Sequence, residues 1–161
     1  MAALVLCAAS APALSAAMSG GTGSGDDAGA VRAGACKPTE PDMLGPFYKP
    51  GAPERASVGK GYVLSGVVKS SANCKVIGGA KIEFWLAGPD RDYDDEHRAT
   101  IFSGADGSYS FESNFPPGYF FRPPHIHIKV SAEGFETLVT QHYPVKGQTK
   151  GVFDLVLIPE K

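Results

Sequence analysis

The chain has 161 residues, a formal net charge of −2 at pH 7 and 20% charged residues. This length is typical of one domain with a tail. The sequence has no basic cluster, which argues against nucleic acid as a partner, and no apolar run reaches the ~18 residues that a membrane-spanning helix requires.

The first 35 residues differ in composition from the rest, because they are mostly Ala, Gly and Ser. Residues 1–17 contain a short apolar run followed by small residues, which is typical of a cleaved signal peptide, although neither Lys nor Arg precedes the run. Residues 18–35 have the composition of a flexible linker. We therefore predict a secreted or periplasmic protein whose globular domain covers residues 36–161. The alternative is an Ala- and Gly-rich tail without a targeting role.

The three cysteines are consistent with export. Cleavage of the predicted signal would remove Cys7 and leave Cys36 and Cys74 in the domain. An even number of cysteines in an exported domain favours a disulfide. The alternative is a pair of unrelated free thiols.

Alternating apolar residues and frequent turn signals predict an all-β domain. In residues 81–86, Ile82, Phe84 and Leu86 alternate with their neighbours and are expected to face the core. The first predicted elements are a strand over residues 61–68, a strand over 81–86, and a hairpin turn at Asp106 and Gly107 followed by a strand through Tyr109 and Phe111. A turn over 116–118 then precedes a strand that contains His125 and His127, and a turn at Glu133 and Gly134 leads into a strand over 137–141. The last predicted element is a central strand over 152–158 that is apolar apart from Asp154. Short strands with turns about every 8–12 residues predict a single β-sandwich.

A pair of histidines follows two prolines in the segment Arg122-Pro-Pro-His125-Ile-His127. Successive side chains of a strand point to opposite faces, so His125 and His127 share one face while the apolar residues between and after them share the other. The apolar face can pack in a core while the histidine face binds a metal. A His-x-His pair alone is more often a surface pair than a metal site.

Two tyrosines stand out as further ligands, because His97 and His142 lie apart in the sequence. Tyr93 and Tyr119 are placed at strand ends. A tyrosine has a pKa of about 10 and is neutral at pH 7, so a strongly charged cation is needed to hold two of them as phenolates. Hard oxygen donors select hard ions, which favours ferric iron over zinc or copper(I).

Four blocks of the sequence resemble the intradiol ring-cleavage dioxygenases, which are non-haem Fe(III) enzymes that use O2 to cleave catechols between the two hydroxyl-bearing carbons. The blocks are Met43-Leu-Gly-Pro-Phe-Tyr48, Gly78-Gly-Ala-Lys-Ile-Glu-Phe-Trp85 with Tyr93 after it, Pro117-Gly-Tyr119 with Arg122-Pro-Pro-His125-Ile-His127, and Thr140-Gln-His-Tyr143. In order they cover residues 41–144. The resemblance therefore spans nearly the whole predicted domain.

The resemblance implies a role for each matching residue. The implied Fe(III) ligands are Tyr93, Tyr119, His125 and His127. Tyr119 is implied to leave the metal when the catechol arrives, and Arg122 to stabilise negative charge on the substrate ring. Gln141 is implied to form a hydrogen bond near the substrate, and Met43 and Pro46 to wall its pocket. The implied product is a muconic-type diacid.

Three features of the chain bear on how far the resemblance extends. The loops around the predicted site are short, which predicts an open pocket that accepts larger catechols. The chain lacks the long helical region that many members use to dimerise, so the oligomeric state of those members is not carried over and stays open. The acidic cluster over residues 90–96 is expected to be a solvated loop around Tyr93, and Tyr62, Tyr109 and Tyr143 are expected to pack rather than to bind metal.

An alternative from a different functional class is a non-catalytic β-sandwich binding module. The strand and turn pattern through Asp106-Gly-Ser-Tyr-Ser-Phe111 also resembles prealbumin-like accessory domains of secreted proteins, which bind no iron. A shared fold does not decide function. The discriminating residues are Tyr93, Arg122, His125 and His127, which a binding module has no reason to keep together.

Overall fold

Eight strands build the part of the chain that the computed structural model describes, residues 34–161. They are β1 (Tyr62–Ser70), β2 (Lys81–Leu86), β3 (Arg98–Phe102), β4 (Ser108–Ser113), β5 (Ile126–Ser131), β6 (Leu138–His142), β7 (Lys150–Val152) and β8 (Leu155–Leu157). Within residues 34–161 there is no helix, and thus none there that could span a membrane. The signal peptide predicted over 1–17 lies outside the described residues, as does all but the end of the linker predicted over 18–35, and both stay predictions.

The strands form two sheets, as the sequence predicted for an all-β sandwich. In the first sheet β1 pairs antiparallel with β4 and parallel with β7 and β8. The second sheet has the order β3-β2-β5-β6 and is antiparallel throughout. This order places the histidine strand β5 between β2 and β6.

Aromatic and aliphatic side chains from both sheets fill the core. Phe84 of β2 stacks on Phe111 of β4 with ring centroids 4.2 Å apart, so this pair joins the two sheets. Leu64, Ile126 and Ile128 are fully buried beside it. The inward positions predicted for β2 are confirmed, since all three apolar residues of its predicted core face are buried.

The outer face of β2 is also buried, which alternation did not predict. Glu83 and Trp85 point away from the core, yet both are buried. The segment before β1 covers them: the Tyr48 ring lies 5.1 Å from that of Trp85, and Tyr48 Oη lies 3.4 Å from Glu83 Oε1. The second sheet is therefore covered on this side near the histidines.

Two predicted turns differ from the structure. Asp106 and Gly107 do form a turn, but β3 and β4 on either side pair within different sheets, so the turn crosses between sheets and the hairpin prediction was wrong. Residues 116–118 form no turn, because consecutive prolines favour extended backbone. The tight turn instead spans Tyr119 to Arg122, closed by reciprocal backbone hydrogen bonds of 3.2 and 2.9 Å.

The central strand predicted over residues 152–158 was also wrong. The structure has two short strands, β7 and β8, which pair with β1 at the edge of the described sheet and are separated at Phe153 and Asp154. Asp154 Oδ1 accepts a hydrogen bond from the backbone N–H of Val67 at 3.0 Å, and Asp154 Oδ2 lies 2.6 Å from Lys69 Nζ. The carboxylate thus replaces a strand partner at this point of β1.

Replacing this carboxylate is expected to lower stability. Asp154→Ala leaves the Val67 N–H without its acceptor, and we expect the free energy of unfolding to fall by about 1–2 kcal/mol. Urea titration at pH 7 measures the change. The exposed Asp92→Ala serves as the control, with an expected change below about 0.5 kcal/mol. Equal stability of the two variants would contradict this role.

The structure brings the predicted cysteine pair together. The Sγ atoms of Cys36 and Cys74 lie at disulfide-bonding distance, and their Cα atoms are 5.2 Å apart. The pair connects the start of the domain to the turn after β1, and the backbone N–H of Cys36 donates to Ser71 O at 2.9 Å. The N-terminal end of the described chain is therefore held against the first sheet.

Candidate functional site

The histidine strand presents its imidazoles as alternation predicted. His125 directly precedes β5 and His127 is its second residue, and the two side chains are only 3% and 2% exposed. His125 Nδ1 donates to the carbonyl of Pro123 at 2.8 Å. This leaves His125 Nε2 as an acceptor, and it lies 3.0 Å from the hydroxyl of Tyr93.

Both predicted tyrosines lie beside these histidines. Tyr93 comes from the loop after β2, and its ring centroid is 5.4 Å from that of Tyr119 and 5.9 Å from that of His127. The rings of His125 and His127 are 4.8 Å apart. The structure therefore brings together all four residues predicted as ligands.

The four side chains share one cavity of about 390 Å³. Its lining residues are Met43, Gly45, Pro46, Phe47, Tyr93, Tyr119, Phe120, Phe121, Arg122, His125 and His127. Met43 and Pro46 thus lie where the pocket wall was predicted. Gln141 is absent from this lining.

Gln141 lies behind Arg122 instead. Arg122 Nη2 donates to Gln141 Oε1 at 2.8 Å, and Gln141 Nε2 donates to the carbonyl of Met43 at 2.7 Å. Arg122 Nη2 also donates to the hydroxyl of Tyr143 at 2.8 Å, and that hydroxyl donates to Asp42 Oδ2 at 2.7 Å. The guanidinium is therefore held by a network at the edge of the cavity.

The sequence missed three of the residues that shape this site. Phe47 stacks on Tyr93 with centroids 4.4 Å apart and an interplanar angle of 11°. Asp42 and Tyr143 anchor Arg122, although Tyr143 was expected only to pack. The motif containing Phe47 marked the segment, but its stacking partner lies too far along the chain for a sequence pattern to reveal.

A glycine allows the N-terminal segment to cover His127. Gly45 has φ +73°, and a Cβ there would lie 3.0 Å from His127 Cε1. Trp85 stacks on the same imidazole with centroids 4.9 Å apart. Among the described residues, His127 Nδ1 is one of a few buried polar atoms without a hydrogen-bond partner.

Burial favours the protonated phenol of Tyr93 and the neutral imidazoles of His125 and His127 near pH 7. It raises the pKa of Tyr93 to about 12, although the nearby Arg122 charge acts in the opposite direction. It also lowers the pKa of His127 to about 3, with the His125 and Arg122 charges adding to the effect. The imidazoles are thus available as ligands, whereas release of the phenol proton needs a nearby cation.

The remaining histidines and carboxylates lie outside this cluster. In the acidic loop, Asp94 Oδ1 lies 2.8 Å from His97 Nδ1, so this carboxylate orients no cavity histidine. The hydroxyl of Tyr62 lies 2.7 Å from His142 Nε2. In residues 34–161 no group of three or more His, Cys, Asp and Glu side chains is arranged to hold a metal. A metal in the cavity would therefore depend on the tyrosines.

Acid is expected to destabilise the metal-free protein. Above pH 6.5 the imidazole of His127 is neutral in both the folded and the unfolded chain. Below that pH the imidazole binds a proton in the unfolded chain, whereas in the folded chain it stays neutral down to about pH 3. The free energy of unfolding therefore falls by up to about 1.4 kcal/mol per pH unit as the pH is lowered. The lowered pKa values of His125 and His142 act in the same direction.

Urea titrations at pH 7, 6 and 5 with a chelator present measure this dependence. His127→Gln removes the titrating group and is expected to reduce the slope. A wild-type protein that is equally stable at pH 5 and pH 7 would contradict the assignment.

No protein-family model matches the chain, but comparison with known proteins finds dioxygenases that are similar to it. A chlorocatechol 1,2-dioxygenase of Pseudomonas sp. (strain P51) is 28% identical, over 81% of this chain and 68% of the relative. The dioxygenase domain of a dioxygenase and carbohydrate-binding fusion protein from Streptomyces sp. SirexAA-E is 30% identical with a TM-score of 0.67, over 77% of this chain and 100% of that domain.

The crystal structure of chlorocatechol 1,2-dioxygenase from Pseudomonas putida shares the fold. Its TM-score is 0.64 at 22% identity, over 73% of this chain and 71% of that one. The chain spans about half to two thirds of the length of the curated chlorocatechol relatives, from 52% to 68%.

Proposed function

The chain belongs to the intradiol ring-cleavage dioxygenase family, and we propose on that basis that it is an Fe(III)-dependent enzyme that cleaves catechols with O2. The proposed product is a muconic-type diacid that carries both oxygen atoms. One observation carries the proposal: two phenols, two imidazoles and a guanidinium lie around a single cavity. The relatives are named for chlorocatechol, catechol and hydroxyquinol, so a catechol-type ring is the proposed substrate class.

The chemistry of the donors supports ferric iron as the cofactor. Tyr93, Tyr119, His125 and His127 would hold it. The Tyr93 hydroxyl and His125 Nε2 are 3.0 Å apart and converge on the cavity. The buried phenol retains its proton unless a strongly charged ion lies beside it, and two phenolate oxygens favour a hard trivalent ion. When bound, ferric iron supplies Lewis-acid polarisation and a template for the catechol.

The chain's own residues then have separate tasks. Tyr119 is half-buried at the turn, and its phenolate oxygen is the proposed acceptor of one of the two catechol protons, while a hydroxide that the catechol displaces would take the other. Arg122 places a fixed positive charge at the cavity, where negative charge accumulates on the substrate ring. Phe47 and Trp85 hold the Tyr93 and His127 rings by stacking. These contacts keep the donors oriented before substrate binds.

Oxygen consumption by the iron-loaded protein tests the proposal. We expect one O2 to be consumed per catechol, chlorocatechol or hydroxyquinol cleaved, and proton NMR to show a diacid without an aldehyde signal. Chelation is expected to abolish the uptake, and added ferric iron to restore it. An aldehyde product, or no uptake with one iron bound per chain, would contradict the proposal. The non-catalytic binding module that the sequence left open has no specific observation in its favour.

We further propose that the domain is exported and that Cys36 and Cys74 form a disulfide. The contact between the two sulfurs supports the pairing. Such a bond is expected to contribute about 2–4 kcal/mol to stability by restricting the unfolded chain. Mass measurement after alkylation, with and without reductant, tests it. Alkylation of both cysteines in the unreduced, denatured protein would contradict the disulfide.

A further inference from the structure

Two adjacent phenylalanines are exposed at the rim of the cavity. Phe120 is 85% exposed and Phe121 is 103% exposed, more than any other large apolar side chain among the described residues. Both line the cavity that holds Tyr93 and the histidines. Single exposed apolar residues are common on protein surfaces, but an exposed apolar pair continuous with a cavity is typical of a ligand-binding site.

The backbone at Phe120 is a second, independent observation. Phe120 has φ +50° at the first central position of the tight turn between Tyr119 and Arg122. Glycine is favoured at such a position, and a bulky residue there is strained. The Phe120 ring adds little to packing, because its aromatic contact is a T-shaped one with Tyr119, with the ring centroids 4.7 Å apart. Strain of this kind is concentrated at functional sites.

The rim around the two rings is mostly uncharged. Met43 and Pro46 also line the cavity. Arg122 is the one Arg, Lys, Asp or Glu residue in the described lining, and its Nη2 already donates two hydrogen bonds. On the outer side of Phe120 lie Arg91 and Asp92, whose charges are opposite. The rim therefore favours a flat, apolar group over a carboxylate.

We propose that Phe120 and Phe121 form an aryl subsite, which binds the second ring of catechols that carry an uncharged aromatic substituent. The dihydroxy ring lies against Tyr93 and His125, and the substituent reaches the rim, where phenyl rings offer edge and face contacts. The cavity of about 390 Å³ is within the range of ligand pockets, and Phe120 and Phe121 are part of its lining, so a substituent on the catechol can lie against the two rings. The proposal rests on the proposed function and names its substrate class.

Steady-state kinetics with catechol and 4-phenylcatechol test the subsite. The readout is the ratio of the two kcat/KM values. Phe121→Ala is expected to lower the ratio for 4-phenylcatechol over catechol about tenfold, mainly through KM. Phe102→Ala, an exposed phenylalanine of β3 outside the cavity lining, is the matched control and is expected to keep the wild-type ratio.

Phe120→Gly separates binding from a structural role. Glycine relieves the strained φ, so the variant is expected to have a higher Tm than wild type and still to show a lower ratio. A residue that served only the turn would gain stability without losing selectivity. An unchanged ratio in both Phe120→Gly and Phe121→Ala would overturn the proposal.

Two further outcomes are distinguishable. If iron-loaded wild type cleaves neither substrate, the proposed function fails. Calorimetric titration of 4-phenylcatechol then tests the subsite by itself. Weaker binding by Phe121→Ala than by wild type supports the subsite, and equal binding by the two proteins overturns it. If sedimentation shows that wild type is a dimer and Phe121→Ala a monomer, while the ratio is unchanged, the rings form an interface between copies and the aryl subsite is overturned.

Discussion

Tyr93→Phe is expected to lower catechol-dependent oxygen uptake by about 10³-fold or more. Charge transfer from tyrosinate to Fe(III) gives a burgundy colour, and the variant is expected to lose the part of this absorption that Tyr93 contributes. The substitution removes only the oxygen that lies 3.0 Å from His125 Nε2, and the stacking on Phe47 is retained. Tyr119→Phe and His125→Ala are expected to give losses of the same order. Visible spectra and an oxygen electrode, applied to protein of known iron content, measure both effects.

Tyr62→Phe is the matched control for the tyrosine variants. Tyr62 is buried in the core and its hydroxyl bonds His142, away from the cavity lining. We expect this variant to keep the colour and the oxygen uptake within about twofold of wild type, since any loss would act through stability alone. Full colour and uptake in Tyr93→Phe would contradict its assignment as a ligand.

Arg122→Met is expected to lower kcat by about 10²–10³-fold, because the guanidinium is the fixed cation at the place where negative charge develops. Arg122→Lys keeps the charge but loses the planar fork that bonds Gln141 and Tyr143, so we expect an intermediate loss. Tyr143→Phe removes one anchor of the guanidinium and is expected to cost about tenfold in kcat.

The split between kcat and KM distinguishes this role from simple substrate binding. An interaction that strengthens in the transition state lowers kcat, whereas uniform binding raises KM alone. A rise in KM with unchanged kcat in Arg122→Met would contradict the charge-stabilising role. Circular dichroism and urea titration of each variant show whether the fold is intact.

The sequence predicted the parts of the site that depend on local rules. Alternation along a strand placed His125 and His127 on one face, and both are buried there beside Tyr93. The same alternation placed the core residues of β2. Such predictions hold because strand geometry fixes the direction of each side chain within a few residues.

The parts that were missed depend on contacts between distant segments. Asp42 and Tyr143 are 101 residues apart in the chain, yet they share the hydrogen bond that anchors Arg122. Trp85 lies on the outer face of β2, which alternation did not predict to be buried. It is buried because the segment around Tyr48 covers that face. No local pattern reports which segment lies over which face.

The last strand shows how one polar side chain changes local structure. Residues 152–158 are nearly all apolar, which favoured one continuous strand. Asp154 accepts the Val67 N–H and pairs with Lys69, so the chain leaves β1 at that point and returns as β8. The apolar pattern was correct about burial of Leu155 and Leu157 and wrong about continuity.

Anomalous diffraction at the iron edge, from crystals of protein loaded with ferric iron, tests the central claim most directly. We expect a single strong peak in the cavity, within bonding distance of the oxygens of Tyr93 and Tyr119 and of one ring nitrogen from each of His125 and His127. Iron bound elsewhere, or an iron-loaded crystal whose cavity holds no peak, would contradict the account.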